Sequence, residues 1–325
     1  MSEDISVKEA AALLREWDRI LILTHQYPDG DTLGSGFALC RALHRLGKTA
    51  RVECSDCIPD KYGYLFEEYE QPAFEPEVVC AVDVADTRLL GDKLSVYADR
   101  VELCIDHHGS NTGYARYRLL DAESAATAEL ILALLREWEM RPDRMIAECL
   151  YTGIATDTGC FKYSNTTATT HRAAAELMDI GIRAELINRT MFDVKSRPRV
   201  ELERLALDSM RFYFDGRCAM MLITNDMVAH AAAGENDMEG LAPIPRQIEG
   251  VWVGVTLREK ADGAYKVSVR TGTHADASAI CAVLGGGGHI RAAGCTLSGT
   301  AEEAAARMLE AIRRTVPNIA VNERK

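Results

Sequence analysis

The stretch Thr24-His25-Gln26-Tyr27-Pro28-Asp29-Gly30-Asp31-Thr32-Leu33-Gly34-Ser35 follows the apolar run Ile20-Leu21-Ile22-Leu23. The run reads as a buried strand, and the polar stretch as the turn that leads it into a helix over residues 31–46, stopped by Gly47. One histidine and two aspartates crowded at a strand end cost solvation unless a positive charge sits among them, and a divalent cation is the simplest candidate. The small residues Gly34, Ser35, Gly36 and Ala38 let the start of that helix approach the sheet and the ligands closely.

Two later segments repeat the layout. Val78-Val79-Cys80-Ala81-Val82 ends in Asp83, and Val101-Glu102-Leu103-Cys104-Ile105 ends in Asp106-His107-His108. In a parallel α/β sheet such strand ends lie side by side on the carboxyl edge, where these folds bind ligands. Helices are expected over residues 122–140 and 143–155, and the second runs into Thr156-Asp157-Thr158-Gly159, which adds another acid at a helix end. Taken singly, each Asp or His is more easily a cap, a turn former or a hydrogen-bonded core group. Together they offer ligands for two metal ions and several acids that otherwise repel one another. Mixed carboxylate and imidazole donors suit Mn²⁺ or a related first-row ion such as Co²⁺, leave Mg²⁺ open, and suit a thiolate-free zinc site less. Two such ions roughly 3.5–4 Å apart activate water and neutralise a phosphoryl group, so the pattern predicts a hydrolase.

The chain has 325 residues, 47% hydrophobic and 26% charged, which describes a globular protein with room for two domains. The start, Met1-Ser2-Glu3-Asp4, lacks a basic signal region, and no apolar stretch approaches the roughly 20 residues of a membrane span, so a cytoplasmic protein without membrane partners is expected. The scattered cysteines read as reduced core residues, and Cys54-Ser55-Asp56-Cys57 is a lone pair without the second half of a zinc site. A net charge of −12 argues against a partner in long duplex nucleic acid, while a locally charged site still suits small anions.

Around the metal-rich segments the chain reads as α/β. Residues 6–17 form an amphipathic helix that Ser6 and Glu9 can cap, and residues 49–54 a second strand. Residues 59–76 read as helix plus loop, and residues 166–181 and 183–192 continue the helical pattern. After a linking helix over 195–208 the pattern changes. Residues 211–214, 218–224, 251–258 and 265–270 alternate like strands, with hairpin turns at Asp215-Gly216 and Asp262-Gly263. Between them residues 235–250 are punctuated by Pro and Gly, including Glu239-Gly240-Leu241. Residues 275–284 and 301–315 supply helices. The expected architecture is thus a domain over 1–192 with a mainly parallel sheet flanked by helices, a linker helix over 193–209, and a smaller α/β domain with a mixed sheet over 210–325.

His25-Gln26-Tyr27-Pro28-Asp29-Gly30-Asp31 with Gly34-Ser35, then Asp83, Asp106-His107-His108 and Thr156-Asp157-Thr158-Gly159 resemble the four ordered motifs of the DHH phosphoesterase superfamily. Gly285-Gly286-Gly287-Gly288-His289 with Ala292-Ala293-Gly294 resembles the glycine-rich signature of the DHH-associated C-terminal domain. The two-domain length is most similar to the nanoRNase group, described as oligoribonuclease and 3′-phosphoadenosine-5′-phosphate (pAp) phosphatase. The resemblance implies that His25, Asp29 and Asp83 hold one Mn²⁺ and that Asp31, Asp83, His107 and Asp157 hold the other, with Asp83 bridging. It implies His108 at the scissile phosphate, Asp106 orienting the histidines, and Arg270, Gly286, Gly287, Gly288 and His289 on the substrate. Arg291 and His274 are weaker candidates for that role. The four glycines also have their own physical reading, since uncovered N–H groups and positive φ let a loop wrap an anion. The expected substrates are RNA chains of a few units or pAp, and homodimers occur among such relatives. The alternatives are a cyclic-dinucleotide phosphodiesterase, a RecJ-type exonuclease, a pyrophosphatase or exopolyphosphatase and, from a different class, a nucleotide-binding regulator without turnover.

Overall fold

The computed structural model describes residues 2–69, 71–238 and 240–319; Glu239 of the punctuated stretch, like Met1, Glu70 and residues 320–325, lies outside the described residues. The chain divides into two compact units, Met1–Val194 and Lys195–Lys325.

The first unit holds six strands, β1 (Glu3–Asp4), β2 (Ile20–Leu23), β3 (Ala50–Glu53), β4 (Val78–Val82), β5 (Val101–Asp106) and β6 (Tyr117–Leu120). They are ordered β1-β6-β5-β4-β2-β3, and every pairing is parallel. All four residues of β2 are buried, as expected for a strand covered on both faces. Five longer helices accompany this sheet: α1 (Val7–Glu16), α2 (Gly30–Arg45), α3 (Thr127–Glu137), α4 (Arg144–Asp157) and α5 (Ala168–Met178). Ser6 caps α1 as expected, and its N–H donates in turn to the Glu9 carboxylate at 2.8 Å.

The chain winds from β2 outward to β3, then crosses back to β4 on the other side of β2. The winding direction therefore reverses between β2 and β4, and such a switch point leaves a crevice beyond the carboxyl ends of both strands. The crossing of α2 over α4 brings a third element close. A Cβ on Gly34 would lie 2.3 Å from the Cys149 carbonyl, so the two helices touch backbone to backbone there.

Two differences from the sequence expectation bear on the sheet and the crevice of the first unit. The helix expected from residue 122 begins at Thr127, because the peptide groups before it are bent into other duties: the Ala125 N–H donates to Glu129 at 2.9 Å and the Ser124 carbonyl faces His107. Strands β1 and β6 went unread, being short and carrying charged residues such as Glu3 and Arg118.

In the second unit α6 (Arg197–Asp208) packs Leu202 and Ala206 against Met221 and Ile223, residues of a neighbouring strand. The strands are β7 (Arg211–Tyr213), β8 (Cys218–Ile223), β9 (Val253–Glu259), β10 (Tyr265–Thr271), β11 (Gly287–His289) and β12 (Ala292–Leu297). Their order is β11-β12-β10-β9-β8-β7, antiparallel except for the parallel pair β8 and β9, so the sheet is mixed. Helices α7 (Ala277–Ala282) and α8 (Ala301–Thr315) share one core with the sheet, joining Ile280, Met308 and Ile312 to Val255, Val267 and Val269. Part of the glycine run is ordered as edge strand β11 rather than left as a free loop. Gly286 and Gly288 are required there because a Cβ would strike Gly294 O at 2.2 Å or Ala293 Cα at 2.6 Å.

Candidate metal centre

The crevice beyond β2 and β4 receives side chains from five segments. Asp29 caps α2, accepting from the N–H groups of Asp31 and Thr32 at 3.0 and 3.1 Å. Thr32 donates its hydroxyl to the Val82 carbonyl at 3.1 Å, which pins the first turn of α2 to the end of β4. Asp83, the next residue, is 2% exposed and adopts a left-handed backbone with φ 61°. That conformation is uncommon outside glycine, is tolerated best by Asp and Asn, and here turns the chain at the switch point.

The two inner histidines are oriented from behind. His25 Nδ1 lies 2.7 Å from the Gln26 carbonyl and His107 Nδ1 lies 3.1 Å from the Ser124 carbonyl. A carbonyl only accepts, so each Nδ1 carries the hydrogen and each Nε2 is directed inward, the usual arrangement of metal-ligating imidazoles. His25 Nε2 sits 3.6 Å from both Asp29 and Asp83. His107 Nε2 sits 3.2 Å from Asp157, 3.8 Å from Asp83 and 4.0 Å from Asp31.

Three combinations of these groups could hold a metal ion, with their donor atoms within 4.8 Å of one another: His25, Asp29 and Asp83; Asp31, His107 and Asp157; and Asp83, His107 and His108. The electrostatics point the same way. Burial, then the neighbouring Asp83 and Asp157 carboxylates, push Asp31 well above the usual carboxylate range, and burial also raises Asp157. Burial opposes protonation of the histidines, yet Asp29 and Asp83 lift His25 to about 11, and Asp157 with Asp31 and Asp83 lifts His107 to about 10. Protons are thus held where ligand lone pairs converge, as expected where a cation belongs. The donor set of imidazole nitrogens and carboxylate oxygens fits a divalent metal.

Asp106 stands apart. It is fully buried, accepts from His108 Nδ1 at 2.8 Å and from Asn111 Nδ2 at 2.6 Å, and so keeps one face of the His108 ring fixed. Burial alone would raise the Asp106 carboxyl, but these hydrogen bonds hold it below its ordinary range. The same bond from the Asp106 side raises His108, whose side chain is 43% exposed and open to a reactant.

Several participants went unread in the sequence. The first N–H groups of α3 converge on Asp31, Thr127 N at 2.6 Å and Ala128 N at 3.0 Å, and the Ser35 hydroxyl adds a bond of 3.0 Å. Thr127 Oγ1 donates to Asp83 at 2.8 Å. A helix start facing a carboxylate partly offsets its charge. The available signal was the Thr127 that opens an apolar run, though nothing local tied it to Asp31.

In the second unit Arg270 and His289 stand in one row across the sheet, since both pair through Ala292, and in-register neighbours share a face. His289 is exposed and Arg270 half-buried, and Gly287 has open space where a Cβ would be. The weaker candidates are otherwise engaged. Arg291 donates to the carbonyls of Gly272 and Ala275, and His274 stacks on Trp252 with centroids 4.6 Å apart.

Residues 19–154 match the DHH family, N-terminal domain, and residues 221–318 match the DHHA1 domain. The chain belongs to the DHH family and is a phosphoesterase-type hydrolase with a divalent-metal centre. It is 36% identical over 300 residues, covering 90% of this chain and 89% of the relative, to the bifunctional oligoribonuclease and PAP phosphatase NrnA of Thermus thermophilus. A Bacillus subtilis relative of the same name is 23% identical over 86% of this chain and 90% of its own. Among solved structures, an exopolyphosphatase-related protein from Bacteroides fragilis superposes with a TM-score of 0.86 at 27% identity, covering 97% of this chain and 98% of that one. No helix among the described residues is long and apolar enough to cross a membrane.

Proposed function

We propose that this enzyme hydrolyses short oligoribonucleotides to mononucleotides and removes the 3′-phosphate of pAp, using two divalent ions, Mn²⁺ foremost. The observation that carries the reading is the pair of ligand groups around Asp83: His25 and Asp29 on one side, Asp31, His107 and Asp157 on the other. His25, Asp29 and Asp83 would hold one ion, and Asp31, Asp83, His107 and Asp157 the second. Bound there, the ions would activate water and offset the charge that builds on the phosphoryl oxygens.

The remaining steps fall to the chain itself. His108, its proton affinity raised by Asp106, donates a hydrogen bond to the phosphoryl group and a proton to the departing ribose oxygen. Asp106 holds that ring in place and keeps its Nδ1 occupied. Arg270, His289 and the glycine strand at Gly287 and Gly288 grip a substrate phosphate, the charge-assisted contacts fixing which bond is presented, while Gly286, whose N–H is donated to the Cys281 carbonyl at 2.9 Å, serves by its lack of a side chain rather than as a donor. We place the activity in the cytoplasm, a compartment that suits ten free cysteines, and light scattering in solution tests the homodimer that the family resemblance suggests.

The test is parallel turnover of a 5′-labelled RNA dinucleotide, pAp, a cyclic dinucleotide and pyrophosphate, each with Mn²⁺ and with EDTA. The expected result is Mn²⁺-dependent release of mononucleotide and AMP from the first two. Preference for pyrophosphate or the cyclic dinucleotide would overturn the substrate, and nucleotide binding without turnover would overturn the activity.

A further inference from the structure

Alternation along β10 puts Lys266, Ser268 and Arg270 on the open face of the second sheet, while Tyr265, Val267 and Val269 are buried beneath. Their partners on β12 are Thr296, Gly294 and Ala292, and β11 sets Gly287 opposite Gly294 and His289 opposite Ala292. Three rows result. Arg270 and His289 form the first, Ser268 and Gly287 the second, and Lys266 and Thr296 the third. Successive rows are about 6.7 Å apart, two residues of an antiparallel strand.

Of these, Arg270, Ser268, Gly287, Lys266 and Thr296 line one groove of about 560 Å³, which also takes in Lys260, Gly288, Ala292, Ala293, Gly294 and Cys295, while His289 stands outside its lining. The middle row is floored by Gly287, Ser268 and Gly294, so nothing bulky interrupts the path between the cations at its two ends. Lys260 is paired with Asp262 at 2.9 Å, and Glu235, the acid near Lys266, is taken up by Arg258. The Lys266 side chain is exposed and, among the described residues, makes no hydrogen bond or ion pair.

We propose that Lys266, with Ser268 and Thr296, forms a further phosphate subsite beyond Arg270, which takes a second or third phosphodiester of a single-stranded oligonucleotide. This rests on the reading of Arg270 and the glycine strand as a phosphate grip. The spacing of the rows matches an extended sugar-phosphate chain, and a cation with free hydrogen-bond donors at the far end supplies the attraction. The subsite gives longer oligonucleotides a grip that pAp and dinucleotides, with too few phosphates, do not reach.

The test is the affinity of fluorescently labelled RNA pentanucleotide and dinucleotide, by anisotropy with Ca²⁺ in place of the turnover metal, for wild type, Lys266→Gln and Lys266→Glu. Expected are a loss of roughly 3- to 10-fold for the pentanucleotide in Lys266→Gln, a larger loss in Lys266→Glu, and no more than a slight change for the dinucleotide. The slope of log Kd against log salt should fall by about 0.7 for the pentanucleotide, the share of one single-strand phosphate. Equal losses at both lengths, or none, overturn the subsite. Because this readout is binding, it stands apart from the turnover panel: a wild type that binds oligonucleotides without cleaving them refutes the proposed activity and leaves the subsite to be judged by the length dependence alone.

Discussion

Gly153→Ala isolates the part played by helix packing in building the centre. A Cβ at this position in α4 would stand 2.6 Å from Asp31 Oδ1, 2.8 Å from the Ala128 Cβ and 3.3 Å from the Asp31 Cα. As an isolated helix position the change is favourable by about 1 kcal/mol. Overpacking a filled site costs about 1–3 kcal/mol, so the fold should lose about 0–2 kcal/mol and melt a few degrees lower. The larger effect falls on Asp31. Restoring an ordinary contact requires the carboxylate or the helix to retreat by roughly half an ångström or more, and Asp31 is held by Ser35, Thr127 and Ala128, so the donors move with it. Misplacements on this scale cost on the order of 10- to 100-fold in turnover. Mn²⁺ titration by calorimetry, kcat/KM on the RNA dinucleotide, and melting in EDTA should therefore show weakened metal binding and turnover beside a small loss of apo stability. Metal affinity and turnover within about twofold of wild type would refute the claim that this glycine sets the position of Asp31.

Asp83→Asn should cut metal-dependent turnover by at least roughly 10³-fold while the protein still folds, and full turnover in that variant would refute the shared-ligand assignment. His108→Ala should lower kcat by about 10²–10⁴-fold and leave the Mn²⁺ affinity within a few-fold, which calorimetry beside steady-state kinetics checks. In metal-free protein, His25 at about 11 and His107 at about 10 stabilise the fold fully below the ordinary histidine value near 6.5, and that stabilisation is lost as pH rises through 10–11. Mn²⁺ displaces these protons, so the rise in melting temperature on adding Mn²⁺ should be larger at pH 9 than at pH 6, and the opposite trend in scanning calorimetry would count against the site. Away from the centre, Glu148 is 1% exposed and takes bonds of 2.9 and 2.7 Å from the Arg183 guanidinium. Glu148→Ala should cost about 2–3 kcal/mol in urea unfolding, below the full value for a buried pair because Arg183 is partly exposed.

The candidate ligands were legible because they fall where an apolar strand or helix pattern stops and a polar residue must face the crevice. His25, Asp29, Asp31, Asp83, His107 and Asp157 follow from that pattern and from the family motifs they compose. The supports were not legible, for a physical reason. Thr127, Ala128, Ser124 and Asn111 contribute a backbone group or one hydroxyl or amide at a place fixed only by tertiary packing, and no local periodicity marks such a role. Gly153 is similar, since a glycine inside an apolar helix looks like a weak helix position until the facing helix is known. Strand β11 was hidden because glycine carries no alternation, and only its pairing with β12 reveals it.

The centre also shows how a cluster of acids is kept folded before metal arrives. Asp31 and Asp83 are buried within a few ångströms of the same imidazole, an arrangement that repels itself when ionised. Three devices limit the cost, two of them without filling the place of the cation and the third, protons on the histidines, holding that place until metal displaces them. The start of α3 gives Asp31 two N–H donors and the positive end of a helix, Thr127 Oγ1 satisfies one oxygen of Asp83, and the histidines retain protons. The N–H and O–H donors serve Asp31 and Asp83, while the Gln26 and Ser124 carbonyls accept from Nδ1 of the histidines and leave each Nε2 turned toward the carboxylates. Metal bound by the proposed ligands would relieve the residual repulsion, and because those side chains come from the ends of β2, β4 and β5 and from α2 and α4, that relief would act on the whole first unit rather than on one loop. A centre so built couples metal affinity to the stability of its sheet, which is why the pH dependence of the metal-induced melting shift tests the site independently of any substrate.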